Sequence, residues 1–76
     1  MNFKDFLMKE YKIGEKSAED YVGRLNGMEA KGIYRGEKTV SYSMKAAIER
    51  EYPKSKHHYL LTMDRYMRYK QKRAED

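Results

Sequence analysis

The length of 76 residues and the composition exclude several classes of protein. A chain this short buries only about 60% of the surface that its unfolded form exposes, so we expect one domain, residues 1–76, with a thin core. The absence of cysteine excludes disulfide bonds and thiolate metal sites. No apolar run approaches the roughly 20 residues of a membrane span, and no secretory signal is present. We therefore expect no membrane association and a cytoplasmic location.

Positive charge is concentrated in the second half of the chain. The net charge is +5, of which residues 1–40 contribute +1 and residues 41–76 contribute +4. Between residues 53 and 73, Asp64 is the single acid among seven basic side chains. Such a field favours an anionic partner, which could be nucleic acid, an acidic protein surface or anionic lipid. The alternative is a solvated helix face that only keeps the protein soluble.

The first predicted helix runs from about residue 2 to residue 11. Asn2 is a suitable N-cap, and Phe3, Phe6 and Leu7 fall on one face at helical spacing. This segment is therefore expected to pack through that face.

The second predicted helix begins near Ser17, because Asp20 follows this hydroxyl at the spacing of a capping box. Its apolar stripe comprises Ala18, Tyr21, Val22, Leu25 and Met28. The helix is expected to end before a loop of residues 32–40, in which Ile33 and Tyr34 fold back over the edge of the core.

The third predicted helix starts at Ser41 or Ser43 and ends before Pro53, which cannot continue a helix interior. The fourth starts at Ser55 and is the longest. Its apolar stripe comprises Tyr59, Leu60, Met63, Tyr66 and Met67, and its opposite face carries His58, Leu61, Arg65, Arg68 and Lys72. Six residues on the stripes are predicted to be buried together: Tyr21, Val22, Leu25, Ile48, Leu60 and Met63.

The sequence shows no pattern typical of an active site, a metal site or a cofactor site. His57 and His58 are adjacent, so on one helix they point about 100° apart and cannot chelate one metal. We therefore expect a binding protein rather than an enzyme. Tyr42 and Tyr69 lie off the apolar stripes and Tyr52 lies at the edge of one. Exposed aromatics of this kind can stack on bases or anchor a protein interface, or they can half-cover a small core.

The chain resembles a known DNA-binding domain in three segments. These are Phe3-x-x-Phe6-Leu7, Ile13-Gly14-x-Lys16-Ser17-Ala18-x-x-Tyr21-Val22-x-x-Leu25 and Ser55-x-x-His58-Tyr59-x-x-x-x-x-x-Tyr66. Over residues 3–70 this order is similar to the N-terminal core-binding domain of phage integrases and other tyrosine recombinases. The resemblance implies an all-α fold, a small four-helix SAM-like orthogonal bundle, whose early helices and last helix face DNA. Recombinases cut DNA with a separate catalytic domain, and none follows Asp76. The chain is thus either a fragment or a stand-alone protein that uses the fold for binding.

Two functions follow as expectations. The first is binding of duplex DNA, mostly through phosphates, by basic side chains of the second and fourth helices. The candidate contacts are Lys16, Arg24, Lys54, Lys56, His58, Arg65, Arg68 and Lys72. The alternative is a small phage or mobile-element protein that binds an acidic host protein through its basic, tyrosine-rich face.

Overall fold

The computed structural model describes residues 2–75, with side chains for residues 2–74. Within these residues the chain forms four α-helices and no strand. The helices are α1 (Phe3–Tyr11), α2 (Glu15–Ala30), α3 (Tyr42–Glu51) and α4 (Lys56–Glu75). The prediction of an all-α, four-helix bundle is confirmed.

Two helices begin at the side-chain caps that the sequence predicts. The backbone N–H of Asp5 donates to Asn2 Oδ1 over 2.8 Å at the start of α1. At the start of α3, the backbone N–H of Met44 donates to Ser41 Oγ over 3.1 Å. Each cap satisfies one of the N–H groups that a helix N-terminus leaves unpaired. The first of the two candidate serines is therefore the cap of α3.

The predicted start of α2 is wrong by most of a turn. Gly14 is the N-cap, so Ser17 lies inside the helix, exposed, and does not form a capping box with Asp20. The earlier start is stabilised by Glu15, a carboxylate in the first turn that complements the helix dipole. Glu15 Oε1 also lies 3.2 Å from Lys4 Nζ of α1. This ion pair between helices could not be read from the local pattern.

The end of α2 is set by Gly32, as predicted. Gly32 adopts φ +73°, a left-handed conformation that favours glycine. Its N–H donates to the carbonyl of Glu29 over 3.1 Å, and the N–H of Ile33 donates to the carbonyl of Met28 over 2.9 Å. This pattern is a Schellman motif, and it is accompanied by burial of both Ile33 and Met28. Tyr34 is buried as well, so the predicted return of the loop onto the core is confirmed.

One hydrophobic core joins all four helices and the loop. Its buried side chains are Phe3, Phe6, Leu7, Ala18, Leu25, Met28, Ile33, Tyr34, Met44, Ile48, Met63 and Tyr69. Of the six residues predicted to be buried together, Leu25, Ile48 and Met63 are buried, whereas Tyr21, Val22 and Leu60 are half-buried and pack against the cluster. The prediction is thus confirmed for three of the six residues, and the other three lie at the edge of the core.

The buried face of α4 is rotated from the centre of its predicted apolar stripe, although Met63 of that stripe is buried. Thr62 and Tyr69 are buried, so the prediction that Tyr69 lies off the packing face is wrong. The ring of Tyr69 lies 5.6 Å from that of Phe3 and 5.5 Å from that of Phe6, contacts that the stripe cannot reveal. At about 100° per residue, Arg65 lies about 40° from Tyr69 and about 60° from Thr62. Arg65 is accordingly half-buried at the edge of the core, rather than fully exposed on the outer face.

Candidate nucleic-acid interface

Arg65 is held between two tyrosine rings at the junction of α1, α2 and α4. Its Nη1 donates to the hydroxyl of Tyr21 over 2.7 Å. Its Cζ lies 3.9 Å from the centre of the Tyr11 ring and 5.2 Å from that of Tyr21. The planar guanidinium suits this stacked position. No ion pair joins Arg65 to a carboxylate of residues 2–74, so its charge is fixed in place without an acidic partner.

Arg24 brings a second guanidinium to the same ring. Its Cζ lies 5.3 Å from the centre of the Tyr21 ring, and in the part of the chain with described side chains it has no ion pair with an acid. Because both Cζ atoms lie within 5.3 Å of the same ring centre, the two charges are no more than about 10 Å apart. This is about one Debye length at 0.1 M salt. We refer to Tyr11, Tyr21, Arg24 and Arg65 as the arginine–tyrosine cluster. Both guanidinium groups add to the positive potential around the Tyr21 ring.

Three further candidate cations are paired with carboxylates. The pairs are Lys56 with Glu49 at 3.3 Å, Arg68 with Asp64 at 3.6 Å, and Lys72 with Glu10. All six side chains are substantially exposed, and ion pairs of this kind stabilise a fold by only about 0–1 kcal/mol. An incoming phosphate could therefore replace the carboxylate.

The pair between Lys72 and Glu10 adjoins the arginine–tyrosine cluster. The hydrogen bond from Lys72 holds the pKa of the Glu10 carboxyl below its usual value, with the lysine charge adding to the effect. Arg68, Lys72, Glu10 and Tyr11 line one small cavity of about 370 Å³. Since Tyr11 belongs to both the cavity and the cluster, Arg68 and Lys72 continue the basic surface along α4.

The remaining candidates are Lys16 in the first turn of α2, and Lys54 and His58 near the start of α4. Lys16, Lys54 and His58 are exposed, and no ion pair involves them within residues 2–74. His58 is two helical turns from Arg65 along α4, about 10 Å at 1.5 Å per residue. Lys54 belongs to the turn before α4, at the opposite end of that helix from Lys72. The structure thus joins Arg24, Arg65, Arg68 and Lys72 into one surface and leaves the others around it.

Tyr11 is the residue of this site that the sequence reasoning missed, and Tyr21 was assigned to the core alone. Tyr11 ends α1, and the aromatic contacts that place both rings beside Arg65 come from other helices. No local signal reveals such contacts. Of Tyr42 and Tyr69, expected off the stripes, and Tyr52, expected at the edge of one, only Tyr42 is largely exposed, at 87%. Tyr52 is half-buried and stacks on Tyr59, with ring centres 3.6 Å apart.

Two other kinds of site are absent from the described residues. These residues contain no group of three or more His, Cys, Asp or Glu side chains arranged to hold a metal ion. None of their helices is both long enough and apolar enough to cross a membrane.

No family model, curated protein or solved structure gives a significant match to this chain. The similarity to recombinase core-binding domains therefore stays a prediction from the sequence.

Proposed function

We propose that this chain is a duplex-DNA-binding module, arranged like the core-binding domain of tyrosine recombinases, with α2 and α4 facing the phosphate backbone. The observation that carries the proposal is the placement of Arg24 and Arg65 on the Tyr21 ring without a carboxylate partner. A guanidinium binds phosphate through two parallel hydrogen bonds, and stacking on a ring reduces the side-chain freedom lost on binding. The cluster therefore suits a phosphate group better than a solvated lysine would.

The shape of the basic surface also supports a long polyanion. From Arg65 to Lys72 the cationic side of α4 spans about 10 Å, over which duplex DNA presents roughly six phosphate charges. Arg68 and Lys72 would exchange their exposed carboxylate partners for phosphates, while Arg24 and Arg65 already lack such partners. These contacts would position the module on DNA without reading its sequence.

A second candidate is binding to an acidic host protein by a phage or mobile-element protein. The exposed ring of Tyr42 favours it, because aromatic side chains often anchor protein interfaces. Tyr42 belongs to α3, however, whereas the arginine–tyrosine cluster is built by α1, α2 and α4. The other seven tyrosines are buried or half-buried, which leaves little of the tyrosine-rich face that this alternative requires. Either ligand is compatible with the cytoplasmic site of action that we propose.

The test is a fluorescence-anisotropy titration with duplex DNA at several salt concentrations. We compare Arg24→Ala with Arg50→Ala, a matched substitution at an exposed arginine of α3 that pairs with Glu51. The Arg24 variant should bind duplexes of all sequences more weakly, and its plot of log K against log salt should be flatter by about 0.9. The Arg50 variant should keep the wild-type slope.

Two outcomes would reject DNA binding. One is an absence of duplex affinity at about 50 mM salt, where phosphate contacts are strong. The other is an equal effect of the two arginine substitutions. A parallel titration with poly-L-glutamate separates the second candidate, since binding of this polymer without binding of the duplex would favour an acidic protein partner.

A further inference from the structure

A second concave surface lies between the loop after α2 and the C-terminal half of α4. It is a groove of about 790 Å³, within the range of about 300–1,000 Å³ that is common for binding sites. Val40 from the loop and Met67 and Ala74 from α4 give it an apolar lining. Among residues 2–74, no aromatic side chain lines it.

Lys70 holds the wall of this groove in place. Its Nζ donates to the hydroxyl of Tyr34 over 2.6 Å, to the carbonyl of Gly36 over 3.4 Å and to the carbonyl of Glu37 over 3.5 Å. Gly36 adopts φ +99°, a conformation that favours glycine and that turns the loop toward α4. Tyr34 is also buried in the core, so its side chain anchors the loop there. The backbone carbonyls of Gly36 and Glu37 attach the loop to α4 through Lys70. The groove is thus formed before any ligand binds.

Positive charge surrounds the apolar lining. Lys38, Arg68 and Lys70 line the groove together with one acid, Asp64, which pairs with Arg68 at 3.6 Å. The three acceptors of Lys70 are neutral oxygens, so its charge is not compensated by a carboxylate. Lys38 is exposed and has no ion pair among residues 2–74. The groove therefore offers two uncompensated cations beside an apolar surface.

We infer that this groove binds an acidic, amphipathic helix of a partner protein. The apolar side of such a helix would contact Val40, Met67 and Ala74, while its carboxylates would pair with Lys38 and be attracted by the positive charge of Lys70. Nucleic acid fits less well, because sites for unpaired bases use aromatic stacking platforms and this groove has none. The inference does not rest on the arginine–tyrosine cluster, to which DNA binding is assigned, and the groove shares only Arg68 with the proposed DNA-binding surface.

The test uses the whole chain and a displayed library of helical peptides with random charge and apolar spacing. Peptides enriched on the wild-type protein should carry net negative charge and apolar residues at steps of three and four. In NMR titrations with the strongest synthetic peptide, amide shifts should concentrate at residues 36–40 and 67–74. Lys38→Glu and Gln71→Glu, both at exposed groove positions, should each weaken this peptide by about tenfold through like-charge repulsion.

The control is Lys45→Glu, the same charge reversal at an exposed position of α3 outside the groove, which should change the affinity less than about twofold. Circular dichroism checks that all three variants stay helical. The inference is overturned if no peptide is enriched, if the enriched peptides are neutral or basic, or if the shifts map to Arg24 and Tyr21 instead. Equal loss of affinity in the groove variants and the control would overturn it as well.

Discussion

Arg65 and Arg68 provide a matched pair for testing whether the arginine–tyrosine cluster stabilises the fold. Both are arginines of α4, three residues apart, yet Arg65 stacks on Tyr11 and donates to Tyr21, whereas Arg68 is 65% exposed and pairs only with Asp64 one turn away. Truncation of either to Ala leaves helix propensity nearly unchanged, because both residues are good helix formers. Any large difference in stability between the variants must therefore come from tertiary contacts.

The expected magnitudes differ clearly. A cation–π contact contributes about 0.5–2 kcal/mol and a hydrogen bond from a charged donor about 1.5–3 kcal/mol when well buried. Because Arg65 is only half-buried, we expect Arg65→Ala to lower the free energy of unfolding by about 1–2 kcal/mol in total. Arg68→Ala loses one exposed pair along the helix and should lower it by less than about 0.5 kcal/mol. For a domain of this size, the Arg65 variant should lose about 5–15 °C in Tm.

The assay is urea denaturation followed by circular dichroism, with thermal melts alongside. A double-mutant cycle with Tyr21→Phe isolates the hydrogen bond to the hydroxyl, for which we expect a coupling of about 0.5–1.5 kcal/mol. If Arg65→Ala destabilises the protein no more than Arg68→Ala does, the cluster is not a structural unit. Because Arg65→Ala is expected to destabilise the fold, Arg24 is the better position for testing phosphate contacts.

Four further substitutions test the packing and the basic surface. Leu25→Ala should cost about 2–5 kcal/mol because Leu25 is buried, and Leu60→Ala clearly less because Leu60 is half-buried; equal urea midpoints would contradict this ranking. Gly23→Ala should stabilise the protein by about 0.5–1 kcal/mol, since a Cβ there meets no atom within 4 Å; a lower Tm would disagree. Glu10→Gln removes the carboxylate that pairs with Lys72 and should steepen the salt dependence of duplex binding by up to about 0.9, whereas an unchanged slope would remove Lys72 from the interface.

The stability contributed by Glu10 has a defined pH dependence. Its pKa is lower in the folded chain than the ordinary 4.5, because the Lys72 hydrogen bond stabilises the carboxylate. The contribution is therefore complete above pH 4.5 and is lost as the pH falls through the lower, folded pKa. Acid titration of wild type and Glu10→Gln, followed by circular dichroism, should show their stabilities converging only below pH 4.5. Convergence near neutral pH would contradict the ion pair.

Local features of the sequence were sufficient for the helices and most of their ends. The hydrogen bonds that cap the helices at Asn2, Ser41 and Gly32 join groups no more than five residues apart in the sequence. Pro53 restricts its own backbone and that of the preceding residue. Such interactions depend on sequence spacing alone. The predicted start of α2 was wrong because Ser17 is a suitable local cap. The observed, earlier start is stabilised by the ion pair between Glu15 and Lys4 of α1, which local spacing does not reveal.

The sequence by itself determined four helices, one loop that returns to the core and an excess of positive charge toward the end of the chain. Only the tertiary structure decided the rotation of α4 about its own axis. Tyr69 packs on the aromatic rings of Phe3 and Phe6 in α1, and this orientation places Arg65 at the edge of the core beside Tyr11. The tertiary structure also decided which cations are paired and which are not. A helical pattern gives the angle between residues on one helix, but the choice of buried face depends on the surfaces that the other helices present.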